Sequence, residues 1–361
     1  MKKLKNIIIA IAVTAYGAAL VIFAKEVAEG VKASVSSCLN VIIPSLFAFM
    51  VTSGFIISSG FYKTLSRPFA PIARHIFRIP PELFSIFLIS CIAGYPIGAK
   101  MLADLYESGH ADKKTAEKML CFCYMGGPAF FCGIAGLGIY SNVKTGLVIF
   151  LCIFLSNVTI GLIFRPKRLE STTVSKSIEP DFSASALISS ICGGGVGILK
   201  ICGAIIFFST ITAVLGASGA LEAAAAFISR LSGISKSDCL CLISSALEIS
   251  CIGRLSPDIR LLPLVTALLS FGGLCVMLQV EGAVSGRLST NIFYISRIIS
   301  IFISYFYCKI VICFLGIEKI IQTNAITSIG YRQTSPMPSI FLLIMTILLL
   351  SNNYIAKKIK V

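Results

Sequence analysis

Gly94-Tyr95-Pro96-Ile97-Gly98-Ala99-Lys100 interrupts a segment that is apolar from just after Glu82 and turns polar between Lys100 and Gly109. A helix does not run undisturbed through this stretch. Proline removes an N–H and clashes with the preceding turn, and each glycine favours leaving the helix. The apolar part is also too short for a crossing, which takes roughly 20 residues. Backbone groups released at a break have no partner in lipid, so a break survives only inside protein or against a wet cavity. Residues 82–109 are therefore expected to form a re-entrant helical hairpin with its tip at Gly94–Lys100.

The flanking sequence is that of a membrane protein. Of 361 residues, 56% are hydrophobic and 13% charged, and the mean hydropathy is +0.92. Soluble chains carry about 25% charged residues, so an ordinary soluble enzyme and a disordered chain are both excluded. The balance of 31 Lys+Arg against 16 Asp+Glu gives +15. The basic residues are scattered between apolar runs, which points to charged loops and to no nucleic-acid partner. The fourteen cysteines lie mostly inside apolar segments, without CxxC pairs, and the histidines are His75 and His110 alone. They read as small buried hydrophobes, and neither a metal nor a cofactor is expected. Enzyme signatures are missing too: there is no HExxH, no GxGD and no phosphate-cradling loop with Lys-Ser/Thr. Gly193-Gly194-Gly195 fits close helix packing instead.

Moving outward along the chain, Lys2, Lys3 and Lys5 precede an uncharged run from Ile7 to Ala24, read as an N-terminal transmembrane helix within residues 1–30. A second helix spans about Ser34 to Ile57. Between Phe61 and Pro81, Lys63, Arg67, Arg74 and Arg78 alternate with apolar residues, as in an interfacial segment. Ala116 to Tyr140 is interrupted at Gly126-Gly127-Pro128, and Thr145 to Phe164 is an ordinary span. A basic linker, 165–182, then divides the chain.

The second half repeats this order. A long apolar helix ends at Ser218-Gly219 as the earlier one ends at Ser59-Gly60, and an amphipathic stretch, Leu221 to Leu231, follows. A second hairpin, 237–257, breaks near Gly253, and its Ile249-Ser250-Cys251-Ile252 repeats Ile89-Ser90-Cys91-Ile92. Leu261 to Val280 carries Gly272-Gly273, and Asn291 to Phe314 closes the repeat. The positive-inside rule puts each strongly basic loop in the cytoplasm only if both short segments are hairpins, which inverts one half relative to the other. The expected fold is an all-α polytopic membrane protein with about 7–9 transmembrane helices. These form two inverted repeats, 31–164 and 183–315, with two re-entrant helical hairpins. A C-terminal loop and transmembrane helix, 316–361, follow.

Inverted repeats with broken helices are the signature of secondary transporters. Candidate substrate-binding residues cluster at the breaks: Ser90, Gly94, Tyr95, Pro96, Gly98, Lys100, Gly127, Pro128, Ser250, Arg254, Gln279 and Arg297. Helix N-termini and cations there suit a small anionic substrate. Glu248, an acid within an apolar run, is the candidate for H⁺ or Na⁺ coupling. Lys100, Arg254 and Arg297 are the three cations that loops do not account for. The expectation is a cavity between the hairpin tips lined by Lys100, Glu248 and Arg297. Snorkelling to a nearby surface is the alternative for Lys200 and Arg297.

Together these residues resemble the sporulation integral membrane proteins of the YlbJ kind, in the gate (nucleoside-recognition) group. The resemblance runs through Ser45-Leu46-Phe47, Gly94 to Lys100, Gly127-Pro128 with Phe130, Glu248-Ile249-Ser250, Gly273-Leu274, Gln279-Val280 and Arg297. It implies two inverted repeats with two hairpins, a location in the outer forespore membrane, and movement of dipicolinate toward the forespore. Just before Pro128, Met125 and Gly126-Gly127 stand where relatives tend to carry Asn and Ser, and Met277 stands where they often have His. Two alternatives stay open: a gate transporter of a neutral nucleoside-type substrate, and a non-transporting assembly or signalling subunit.

Overall fold

The computed structural model describes residues 2–165 and 183–315. The linker beyond Arg165, with Lys167, Arg168 and Lys176, and the expected C-terminal loop and helix of 316–361 lie outside the described residues. Every regular element described is helical.

Helix α1 (Lys2–Ile22) turns by 91° at Phe23 into α2 (Ala24–Ser37). A π-type turn, Cys38–Ile42, carries α2 into α3 (Ile43–Ser58). Pro44 in the first turn of α3 lacks an N–H and crowds the carbonyl four residues back, and the widened turn ahead of it relieves both problems. The arm ends at Gly60, whose φ of 71° starts α4 (Phe61–Ser66) in a new direction. In the second half α10 (Ala184–Ala217) ends the same way, with φ 75° at Gly219 before α11 (Ala220–Ser232). The two long arms lie side by side and antiparallel. Ser209 Oγ donates to the Gly30 carbonyl at 2.7 Å, and the Ser58 and Ser190 hydroxyls meet at 3.3 Å near the opposite end.

The remaining elements of the first half are α5 (Phe84–Ala93), α6 (Ile97–Glu107), α7 (Lys113–Leu120), α8 (Pro128–Ile139) and α9 (Val143–Ile163). Their counterparts are α12 (Lys236–Leu247), a 3₁₀ stretch at Ile249–Arg254, α13 (Leu262–Phe271), α14 (Gly273–Val284) and α15 (Asn291–Leu315). Contacts at the two ends fix their directions. At one end Arg287 reaches Asp104 at 3.4 Å and also bonds Glu107, and Ser289 N–H donates to Glu117 at 2.7 Å. At the other, Tyr140 Oη donates to the Asp258 carbonyl at 3.3 Å. The broken helix α7–α8 therefore runs from the first end to the second, and α13–α14 runs back. The halves are inverted.

Among the described residues, four helices are long and apolar enough to cross a membrane: Val143–Ile163, Ala184–Ala217, Ile259–Val284 and Asn291–Phe314. Counting each bent pair, Asn6–Ile22 with Ala24–Asn40 and Leu46–Ser58 with Phe61–Phe69, raises this to six. The expected count of about seven to nine is thus not reached among the described residues. The broken helices α5–α6 and α7–α8 are individually too short, and the C-terminal segment falls outside.

Candidate functional site

The site begins where the broken helices cross. In the first half, α5 stops at Gly94 (φ 84°) and α6 starts after Pro96, so the chain folds back on itself. A Cβ on Gly98 would lie 2.8 Å from the Cβ of Ser90 and 2.2 Å from the Cys123 carbonyl oxygen. A Cβ on Gly127 would lie 2.8 Å from the Ile92 carbonyl oxygen. Only hydrogen at these positions lets the two breaks touch backbone to backbone. Pro128 then opens α8, where a missing N–H costs nothing. The second half repeats the crossing: a Cβ on Gly273 would lie 3.1 Å from the Ser245 carbonyl oxygen and 3.4 Å from that of Leu247, where α12 ends.

This equivalence corrects the sequence register. The second hairpin breaks at Glu248, not near Gly253, because Glu248 takes an extended conformation that ends α12. Ile89–Ile92 lies inside α5, before its break, whereas Ile249–Ile252 follows the break at Glu248. The shared tetrapeptide is therefore not structurally equivalent. Ser90 bonds the Phe87 carbonyl at 2.7 Å and serves helix packing. Ser250 donates through its N–H, at 3.1 Å, and its hydroxyl to the Glu248 carboxylate. Glu248 thereby caps the 3₁₀ turn that follows it, with Cys251 Sγ at 3.7 Å.

Two aromatic rings join the crossings. Tyr95 stacks on Tyr124 at 5.1 Å, and Tyr124 Oη donates at 3.0 Å to the carbonyl of Phe271, the last residue of α13. Tyr95 Oη is buried with no hydrogen-bond partner among the described residues. Behind Tyr124 lies Arg297, 0% exposed. Its guanidinium donates to the carbonyl oxygens of Cys121 and, at 3.4 Å, Tyr124. It sits 4.7 Å from the Tyr124 ring centre and 5.4 Å from that of Phe293. These carbonyls lie in the turn that follows the end of α7, and Ser296 Oγ at 3.3 Å and Asn157 Nδ2 at 2.9 Å donate to the same two oxygens. Five fixed donors and a positive charge at a helix C-terminus suit that role. Arg297 is thus neither a cavity residue nor a snorkelling one.

The cavity, about 690 Å³, lies beside the crossings, between α6, α10 and α14. Pro96, Lys100 and Asp104 form one wall, Gly193, Lys200 and Gly203 another, and Gln279, Glu281 and Arg287 a third. Of the sequence candidates it gathers Pro96, Lys100 and Gln279; Gln279 is held by Nε2 to Cys275 Sγ at 3.4 Å. Glu248 and Arg297 do not line it, contrary to expectation, because both turn toward backbone groups freed at breaks. Arg254 is exposed at the end of the 3₁₀ stretch and makes no ion pair with Glu248. Asp104, Lys200, Glu281 and Arg287 were not among the candidates. Lys200 alone carried a signal, a charge in the middle of an apolar run.

No protein-family model matches the chain, and no solved structure matches it. Over 137 residues, 38% of this chain, it is 28% identical to the sporulation integral membrane protein YlbJ of Bacillus subtilis (strain 168). The match spans about a third (34%) of that relative's length. The chain is an integral membrane protein similar to a sporulation integral membrane protein.

Proposed function

We propose that the protein is a secondary transporter of a small anionic solute, acting in the sporulation programme. By its likeness to the YlbJ kind, the solute is dipicolinate and the membrane is the outer forespore membrane. On this reading residues 31–164 and 183–315 are two gate-type repeats, and Glu248 couples H⁺ or Na⁺. The observation that carries it is the cavity wall. The N-terminus of α6, Lys100, Lys200 and Arg287 face the space, with only Asp104 and Glu281 opposing them. Helix N-termini and excess cations favour an anion, and broken helices at the centre of inverted repeats are where transporters bind.

The test is uptake into liposomes holding the purified full chain. Labelled dipicolinate should enter, and excess unlabelled dipicolinate should compete while uridine should not. Competition by uridine alone would favour a neutral, nucleoside-type substrate. Uptake of neither would sink transport and leave the assembly or signalling reading.

A further inference from the structure

The cations around the cavity differ in how far they are already neutralised. Lys100 Nζ is 2.8 Å from Asp104 on its own helix. Arg287 is held by Asp104 and Glu107. Glu281 is engaged by the Tyr294 hydroxyl at 3.0 Å. Lys200 makes no ion pair or hydrogen bond with any described residue, yet it is exposed to the cavity.

Its position along α10 sharpens the point. Lys200 stands 16 residues after Ala184 and 17 before Ala217. About 24 Å of helix therefore lies on either side of it, at 1.5 Å per residue. Lys200 thus stands at the middle of a helix longer than the roughly 20 residues that cross a bilayer core. An unpaired cation at that depth is costly and persists where it meets a ligand or a wet cavity. The neighbouring face keeps it accessible: nothing lies within 4 Å of a Cβ placed on Gly193 or Gly203.

We propose that Lys200 is the residue that binds the substrate's anionic group, in the space between α10 and the N-terminus of α6. This rests on the transport reading above and adds a specificity-determining residue to it. A carboxylate there takes charge-assisted hydrogen bonds from the ammonium, while Lys100 and Arg287 remain tied to their own acids. The solute is required to carry at least one full negative charge.

The experiment measures binding of three probes to the purified full chain: pyridine-2,6-dicarboxylate, pyridine-2-carboxylate and neutral pyridine-2,6-dicarboxamide. It compares the parent with Lys200→Met and Lys200→Arg, and records the thermal midpoint of each without ligand. The parent should prefer the two anions over the amide. Lys200→Met should bind the dianion about tenfold to hundredfold more weakly, the loss of one charge-assisted hydrogen bond. It should also be at least as stable as the parent, since an unpaired intramembrane charge has gone. Lys200→Arg should stay within about threefold of the parent. Equal dianion binding by Lys200→Met overturns the assignment and leaves the transport reading intact. So does a Lys200→Arg variant as weak as Lys200→Met, or a Lys200→Met midpoint well below the parent's, which marks a structural lysine. A parent that binds no anion brings down both.

Discussion

Arg297 places its guanidinium 4.7 Å from the ring centre of Tyr124 while donating to that residue's own carbonyl oxygen. One side chain thus holds both the backbone freed where α7 breaks and the ring that reaches across to Phe271. Arg297→Leu is expected to destabilise the protein by about 1.5–3 kcal/mol through loss of its charged hydrogen bonds, although Ser296 Oγ at 3.3 Å and Asn157 Nδ2 at 2.9 Å still donate to the Cys121 and Tyr124 carbonyls. Arg297→Lys should restore part of this, since an ammonium donates but lacks the planar fork. Thermal unfolding in detergent reads the effect. Dianion affinity of the folded fraction should not change, and a stable Arg297→Leu protein that has lost binding would return Arg297 to the site.

The close approach of the first two breaks rests on Gly98. Its added Cβ would meet the Cys123 carbonyl oxygen at 2.2 Å, a backbone atom that cannot step aside. Gly98→Ala should therefore force the hairpin away from α7–α8 and cost roughly 1–3 kcal/mol as an overpacked core does. Gly203→Ala is the control on an apolar helix. With nothing within 4 Å of its Cβ, it should stabilise α10 by about 0.5–1 kcal/mol through helix propensity. A similar fall in midpoint for both variants would refute the crossing.

How much of this was legible in sequence depends on whether the signal was local. Gly94–Lys100 announced its break because proline and glycine act on their own backbone. The paired Ser-Gly ends of the long arms were legible for the same reason. Partner choice was not. Arg297 looked like a substrate residue since intramembrane arginine usually is, but its partners are carbonyls just past the end of α7, more than 170 residues away. The tetrapeptide shared by the two halves misled because apolar segments draw on few residue types. Asp104 and Arg287 gave no warning at all; each looks like a loop-proximal charge until α6 and α14 come together.

Those two residues form the polar closure at one end of the cavity. Asp104 sits between Lys100 at 2.8 Å and Arg287 at 3.4 Å, all of them a quarter to a third exposed. A double-mutant cycle between Asp104→Asn and Arg287→Gln should show a coupling of about 0.5–1 kcal/mol, in keeping with partly solvated pairs. Asp104→Asn should also strengthen dianion binding, because it releases Lys100 toward the cavity, while Arg287 stays held by Glu107 and the Ala283 and Val284 carbonyls. Weaker binding in Asp104→Asn would mean that the carboxylate itself contacts the solute.

On the transport reading, Glu248 is expected to serve coupling and not affinity. Its carboxylate faces Ser250 and Cys251 rather than the cavity, so it should act on the state of the second hairpin and not on the solute directly. Glu248→Gln keeps an oxygen that can accept from the Ser250 N–H, and the 3₁₀ turn should survive with a midpoint near the parent's. What it cannot do is change charge on taking up a proton or attract a sodium ion. Dianion affinity should therefore stay within about threefold of the parent, while accumulation against a gradient, driven by imposed pH or sodium differences across the liposome membrane, is lost. The driving ion is identified in the same assay as whichever gradient the parent uses. Undiminished accumulation by Glu248→Gln would remove Glu248 from the coupling step and reduce it to a cap for the turn that follows the break.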